Sequence, residues 1–253
     1  MKNMKRILAV ALAIVCCAAM FSGCGKKNEK LVVGITDFAP MDYQEDGQWV
    51  GFDADMAKKF AESLGREVEF VEINWDNKVQ EINAGNIDCV WNGMTLTDEV
   101  TSAMDCSNAY CLNAQVVVVP KDKADQYQDA EAVKSLKFAV ETGSAGEEQV
   151  KELGAEYTAV DTQAKALMEV AAGTSDACII DLLMAGAMIG EGTNYPDLTY
   201  TVKLNSEEYG VGFKKGSDLT EKLNKFFVDC YQDGSMMELA EKYGVQESVI
   251  EQK

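Results

Sequence analysis

The chain has 253 residues, a formal net charge of −19 and no histidine. The acidic balance argues against nucleic acid and anionic lipid headgroups as partners, because a negative surface repels phosphate groups. The lack of histidine excludes Ser-His and Cys-His nucleophile pairs and removes the most common metal ligand. No catalytic residue, metal or cofactor is therefore predicted.

The first 23 residues have the pattern of an export signal. Three positive charges lie among the first six residues, and an almost purely apolar run follows at 7–20. A run of this length is typical of a signal peptide, because a membrane-spanning helix needs roughly 20 apolar residues. Ser22 and Gly23 then precede Cys24, which resembles the bacterial lipobox, in which the cysteine becomes the lipidated first residue. An ordinary secretory signal with an incidental cysteine is the alternative.

The mature chain is predicted to start at Cys24 and to hold 230 residues. Removal of residues 1–23 takes away three positive and no negative charges, so the net charge becomes −22. Residues 24–30 are predicted to form a lipid-anchored tether, because the segment GKKNEK has no apolar side chain. The lipid would hold the protein on the outer face of the cytoplasmic membrane. The folded part, predicted to begin near Leu31, suits one large domain or two small lobes.

Strand and helix patterns alternate through most of the folded part. LVVGI (31–35) predicts a buried strand, and apolar residues at every fourth position from Phe52 to Leu64 predict a helix that ends at Gly65. Such alternation predicts a parallel sheet that helices cover on both faces. Further strands are predicted at 67–73, 87–91, 116–119, 137–140 and 177–180. Further helices are predicted at 76–84, after an N-cap at Thr97, at 144–153, at 163–172 and after Asp181.

The last part of the chain departs from this alternation. LTYTVKL (198–204) and YGVGF (209–213) are extended in pattern, and apolar residues from Leu219 to Cys230 predict a long helix. A last helix is predicted at about 236–243, ending at Gly244.

Five cysteines follow Cys24, so they cannot all pair. Cys89 and Cys178 lie in apolar runs, where a buried free thiol acts as a small hydrophobe. Cys106 and Cys111 are close enough in sequence to form a disulfide, and the sequence leaves both the paired and the free state open.

Five sequence blocks occur in a fixed order along the chain: VGFDADMAKKF (50–60), IDCVWNGMTLTDE (87–99), VETGSAGEEQV (140–150), SDACIIDLL (175–183) and EYGVGFKKG (208–216). In this order they resemble the polar amino acid substrate-binding proteins of ABC transporters. The resemblance implies an α/β, two-lobed periplasmic-binding-protein-like (type II) fold with two hinge strands. Lobe 1 would comprise 31–113 and 207–253, and lobe 2 would comprise 114–206.

The resemblance also implies a function. The protein would be a monomer that captures an amino acid or a related amine-bearing small molecule and delivers it to an ABC permease. Two alternatives stay open: a tethered ligand sensor without transport, and a dehydratase-like enzyme on the same fold. The second would need an acid and a base in the cleft, for which Asp37 and Asp181 are candidates.

The binding residues are assigned partly by resemblance and partly by chemistry. By resemblance, Asp181 binds the ligand ammonium, while the segment Asn92, Gly93 and Thr95 offers a carbonyl to the ammonium and an N–H and a hydroxyl to a carboxylate. Asp181 would otherwise be a helix N-cap. The turn at Ser144 and Ala145 opens a helix whose free N–H groups and positive dipole end suit a carboxylate, and an N-cap role for Ser144 is compatible with this.

Two aromatic residues complete the predicted site, and one position departs from the family pattern. Phe38 and Trp75 match positions that contact the ligand side chain in relatives, with core packing as the alternative. Most relatives carry an arginine for the ligand carboxylate where this chain has Val100, and a serine or threonine where it has Ala145. The ligand is therefore predicted to lack a free α-carboxylate, or to bind it only through backbone amides and Thr95.

Overall fold

The structure, a computed structural model, describes residues 30–253. The predicted signal peptide, the predicted lipidation site Cys24 and all but the last residue of the predicted tether lie outside the described residues. The first strand begins at Leu31, as predicted.

Strands make up two separate sheets and one hairpin in the described part of the chain. In chain order they are β1 (Leu31–Ile35), β2 (Tyr43–Glu45), β3 (Gln48–Val50), β4 (Val68–Glu72), β5 (Cys89–Thr95), β6 (Asp105–Cys106), β7 (Cys111–Asn113), β8 (Gln115–Pro120), β9 (Lys137–Glu141), β10 (Glu156–Val160), β11 (Ala177–Asp181), β12 (Leu198–Lys203) and β13 (Glu207–Phe213). The first sheet has the order β4-β1-β5-β13-β6, with β7 also paired to β13, and the second has the order β10-β9-β11-β8-β12.

Helices cover these sheets. In chain order they are α1 (Phe52–Ser63), α2 (Lys78–Ala84), α3 (Asp98–Ala103), α4 (Ala130–Val133), α5 (Ala145–Leu153), α6 (Gln163–Ala172), α7 (Leu182–Met188), α8 (Leu219–Gln232) and α9 (Ser235–Tyr243). The apolar face predicted for the first helix is confirmed, since Phe52, Met56 and Phe60 are buried in the core of the first sheet.

The prediction of a parallel sheet is wrong in part, because both sheets are mixed. β1 runs parallel to β4 and β5, but β13 runs antiparallel to β5. In the second sheet β9 is parallel to β10 and β11, whereas β8 is antiparallel to both of its neighbours. β8 and β13 enter their sheets directly from the other sheet, without a βαβ crossover, so nothing forces them to be parallel.

The two sheets form the two lobes of the α/β fold. The chain passes from the first sheet to the second between Asn113 and Gln115, and it returns between Lys203 and Glu207. The residues at which one lobe gives way to the other stay a prediction. The second passage places the polar residues Asn205, Ser206 and Glu207 in a pocket between the lobes.

Local signals predicted several helix ends correctly. The Ser144 hydroxyl accepts a hydrogen bond from the Glu147 N–H at 3.1 Å, which confirms it as the N-cap of α5. Thr97 caps α3 in the same way through the Val100 N–H at 3.3 Å. Gly154 ends α5 with φ near 69°, a left-handed conformation that glycine adopts without strain.

Several features were not predicted, among them the short elements β6, β7 and α4. The hairpin of β2 and β3 turns at Asp46-Gly47, a sequence signal that favours this turn. Strand β10 lies at the edge of the second sheet and is mostly exposed, so it lacks an apolar run. Strand β5 continues through Asn92 to Thr95, although the sequence predicted its end at residue 91.

The cysteines after Cys24 are all free, which settles the alternatives for Cys106 and Cys111. Cys89 and Cys178 are fully buried in strands, as predicted. Burial raises the pKa of both thiols, so each stays protonated at neutral pH and packs as a small apolar group.

Candidate functional site

A narrow cavity of about 30 Å³ lies between the two lobes. All nine residues predicted to bind ligand line it: Phe38, Trp75, Asn92, Gly93, Thr95, Val100, Ser144, Ala145 and Asp181. Their contacts with a ligand stay predictions. The cavity also contains charged residues that the sequence did not single out: Lys78, Glu99, Glu141 and Glu148.

Asp181 is buried at the end of β11, and although it occupies the N-cap position of α7, its side chain makes no capping hydrogen bond. Its Oδ1 accepts hydrogen bonds from the Tyr209 hydroxyl at 2.6 Å, from Gln115 Nε2 at 3.0 Å and from the Asn113 amide. Its Oδ2 accepts a hydrogen bond from the Gln163 amide. Burial, with the nearby Glu207 carboxylate adding to it, raises the pKa of Asp181 to about 8.

Glu207 gathers donors from both passages between the lobes. Its Oε1 accepts from Asn113 Nδ2 at 2.6 Å, Gln115 Nε2 at 2.8 Å and the Thr95 hydroxyl at 3.0 Å. The same two amides thus serve both Glu207 and Asp181. The Thr95 hydroxyl, which the sequence analysis offered to a ligand carboxylate, donates its one proton to Glu207 here, so it would have to give up this bond in order to donate to a ligand.

Glu141 is a second buried carboxyl group, at the end of β9. It is 3% exposed, and its Oε1 accepts no hydrogen bond from the described residues. Burial raises its pKa to about 8, and the Asp181 carboxylate acts in the same direction against Lys78 and Gln163. β9 and β11 are parallel neighbours, so Glu141 and Asp181 lie at the same edge of the second sheet.

Lys78 places a cation in the same cavity, which the sequence analysis did not anticipate. With Val100 at the usual arginine position, the sequence analysis left only neutral donors for a ligand carboxylate. Val100 is indeed buried, at 4% exposure, but Lys78 lies in the cavity with it and is 8% exposed. The sequence missed Lys78 because a lysine at the start of a helix is usually solvated.

Asn92, Gly93 and Phe38 form the wall on the side of the first sheet. The Asn92 side chain accepts from the Thr36 N–H at 2.9 Å and hydroxyl at 2.7 Å, and it donates to Asp42 and to the Thr36 carbonyl. These bonds hold the loop after β1 in place. Gly93 has a positive φ of 54°, and a Cβ there would lie 2.3 Å from the Phe38 ring. Both the backbone conformation and the close approach of this ring therefore favour glycine at position 93.

The lobes touch where Gly143 meets the turn before α2. A Cβ on Gly143, whose φ is 71°, would lie 2.9 Å from the Asp76 Cα and 2.8 Å from its Oδ1. The Lys78 ammonium donates to the Gly143 carbonyl at 2.9 Å. Trp75, in a short 3₁₀ turn, is 7% exposed and lies under this ammonium, with 5.0 Å between Nζ and the ring centroid.

Comparison with known proteins places the chain in a family. The model of the bacterial extracellular solute-binding proteins, family 3, matches residues 31–246. The chain belongs to this family. It is 28% identical over 246 residues to the arginine-binding extracellular protein ArtP of Bacillus subtilis (strain 168), which covers 92% of this chain and 93% of that protein.

Two further similar proteins have names that state other ligands or another descent. The L-cystine-binding protein TcyJ of Escherichia coli (strain K12) is 26% identical over 94% of this chain and 92% of its own length. A crystal structure of the ancestral amino acid-binding protein AncCDT-1, a precursor of cyclohexadienyl dehydratase, has a TM-score of 0.78 and 31% identity over 85% of this chain and 95% of that chain. Both are named as binding proteins, and the likeness to the solved structure supports the two-lobed α/β fold.

Within residues 30–253, no helix is long and apolar enough to cross a bilayer.

Proposed function

We propose that this family member is an extracytoplasmic lipoprotein that captures an amine-bearing small molecule of the amino-acid class between its lobes and delivers it to an ABC permease. The observation that carries the proposal is the pair of buried carboxyl groups of Asp181 and Glu141 at one edge of the second sheet. A cationic ligand group beside them would make charge-assisted hydrogen bonds and remove the need to keep both acids protonated.

The charge of the whole cavity favours the same ligand class. Five acidic residues line it, and Lys78 is the one basic residue among the described residues of its lining; the acids are Asp37, Glu99, Glu141, Glu148 and Asp181. Even with Glu141 and Asp181 protonated, the other three acidic residues outnumber the lysine, and an excess of negative groups in a narrow cleft attracts cations and repels dianions. The aromatic rings of Phe38 and Trp75 in the same wall suit an apolar body or the face of a cation.

Substitution of Asp181 tests the amine site. Asp181→Asn should weaken binding by a factor of roughly 30 to several thousand, because removing one member of a buried charge pair typically costs about 2 to 5 kcal/mol. Helix α7 loses no cap, since the Asp181 side chain makes no capping bond. Calorimetry against a panel of amino acids, amides and polyamines measures the effect, with the exposed Asp125→Asn as the control.

A change below about threefold in Asp181→Asn would reject the amine-binding role. Delivery to a permease is tested separately, by uptake of the ligand into cells that carry either the wild type or Asp181→Asn. A tethered sensor would lose its signal in the variant while uptake stays unchanged, which would contradict transport. No observation on this chain favours the dehydratase-like alternative, and we propose no enzymatic activity.

A further inference from the structure

Lys78 is a buried cation, and no carboxylate among residues 30–253 contacts its ammonium. It is the first residue of α2 and is 8% exposed. Both hydrogen bonds of its ammonium end on backbone carbonyl oxygens, that of Gly143 at 2.9 Å and that of Trp75 at 3.3 Å. An ammonium has three N–H donors, so one donor stays available on the side of the cavity.

The charges around Lys78 leave room for an anion. Burial lowers the pKa of the Lys78 ammonium, and the acidic side chains of Glu99, Glu141, Asp76 and Glu148 oppose this from a distance. Glu99 and Glu148 are exposed, so water screens their repulsion of an entering carboxylate. A buried ammonium that contacts only neutral carbonyls gains from direct pairing with an anion.

A second positive feature lies next to this ammonium. Gly143, whose carbonyl Lys78 contacts, comes directly before Ser144, the N-cap of α5. The first N–H groups and the positive dipole end of this nine-residue helix therefore lie near the Lys78 ammonium, and Ala145 of its first turn lines the cavity. The Lys78 ammonium and the positive end of α5 thus lie in the same cavity as the acidic side chains of Glu141 and Asp181.

We propose that Lys78 is the specificity-determining residue that binds the carboxylate of the ligand, in the role that Val100 cannot perform. The inference rests on the proposed function and adds the second end of the ligand: an amine at the acids and a free carboxylate at Lys78. It replaces the expectation from the sequence that the ligand lacks a free α-carboxylate. The competing role for Lys78 is a latch that joins the lobes through Gly143 and ignores the ligand.

The experiment compares acids with their amides, which differ only in the carboxylate. L-arginine, L-histidine and L-glutamine are each titrated beside their α-amides into the wild type, Lys78→Met, Lys78→Arg and the exposed control Lys165→Met. We expect the wild type to bind at least one acid tenfold or more tightly than its amide. Lys78→Met should bring the two affinities to within threefold, while Lys78→Arg and Lys165→Met keep the preference.

Results that contradict the role of Lys78 can be told apart from results that contradict the proposed function. If Lys78→Met weakens acid and amide by the same factor, Lys78 is a latch and the inference is wrong. If the wild type binds the amides as tightly as the acids, the inference falls but the proposed function stands, and this comparison needs no variant that must fold. If the wild type binds neither member of any pair and no member of the panel of amino acids, amides and polyamines, the proposed function is wrong and the role of Lys78 with it.

Discussion

At the scale of single residues, the cavity holds carboxyl groups whose protonation depends on folding. Burial raises the pKa of Glu141 to about 8, far above its ordinary value near 4.5. Asp181, with a pKa of about 8, and Asp53, buried below the cavity with a pKa of about 7, behave in the same way. The folded protein therefore holds protons that the unfolded chain has already released.

Glu141→Gln should flatten the dependence of stability on pH. Between about pH 4.5 and 8 the folded state binds more protons than the unfolded state, so the free energy of unfolding falls as pH rises through this window. The variant removes the contribution of Glu141 to this fall in the free energy of unfolding, which is on the order of a few kcal/mol across the window. Urea unfolding at several pH values measures the slope, with the exposed Glu191→Gln as the control. Equal slopes for Glu141→Gln and the wild type would show that Glu141 ionises in the folded protein much as it does in the unfolded chain.

At the scale of elements, the start of α5 is the point where the second lobe meets the first. Ser144 caps the helix, and its hydroxyl also donates to the Glu141 carbonyl at 2.7 Å, which ties the helix start to the end of β9. Gly143 just before it lies against the Asp76 backbone of the other lobe. Closure of the cleft therefore depends on the absence of a side chain at residue 143.

Gly143→Ala should oppose closure and weaken ligand binding, and Gly154→Ala is a matched control. Both glycines have positive φ, 71° and 69°, so each alanine should cost about 1 kcal/mol of stability. A Cβ at Gly154 would meet nothing within 4 Å, whereas one at Gly143 would press on the Asp76 backbone in the closed form. An overpacking cost of about 1 to 3 kcal/mol predicts a loss of affinity of roughly 5-fold to 100-fold for Gly143→Ala alone.

Calorimetry and small-angle scattering check this prediction together. Ligand should compact the wild type and Gly154→Ala, because ligand contacts from both lobes favour the closed form. Gly143→Ala should need more ligand for the same compaction. Equal affinities in the two variants would mean that the contact at Gly143 does not limit closure.

At the scale of the whole molecule, the charge and the two-lobed shape fit a protein tethered beside a membrane but held off its surface. The predicted mature chain carries a net charge of −22, which anionic headgroups repel. The predicted tether is short and polar. A lipid at Cys24 would then be the membrane contact, and both lobes would stay free to close.

Cys24→Ala should therefore yield an exported protein that no longer fractionates with membranes. Mass spectrometry of the mature N-terminus should show diacylglyceryl modification of Cys24 in the wild type and none in the variant, while Lys26→Ala in the tether keeps the lipid. An unmodified wild-type N-terminus at another residue would contradict the anchor and favour an ordinary secretory signal.

The sequence by itself determined the features that depend on neighbours along the chain. The spacing of Phe52, Met56 and Phe60 fixed a buried helix face, and Ser144 and Thr97 fixed helix starts, because capping and amphipathic spacing act within one or two turns. The ordered sequence blocks identified the family, and all nine residues taken from them or from local chemistry line one cavity.

Only the tertiary structure decided how distant segments face one another. The antiparallel direction of β8 and β13 follows from the passages between sheets, which no local pattern encodes. Lys78 and Glu141 look like a helix-surface lysine and a strand-end acid in the sequence, yet both are buried. The contact of two lobes removes water from these charged groups, and this desolvation makes them candidates for recognising the two ends of a ligand.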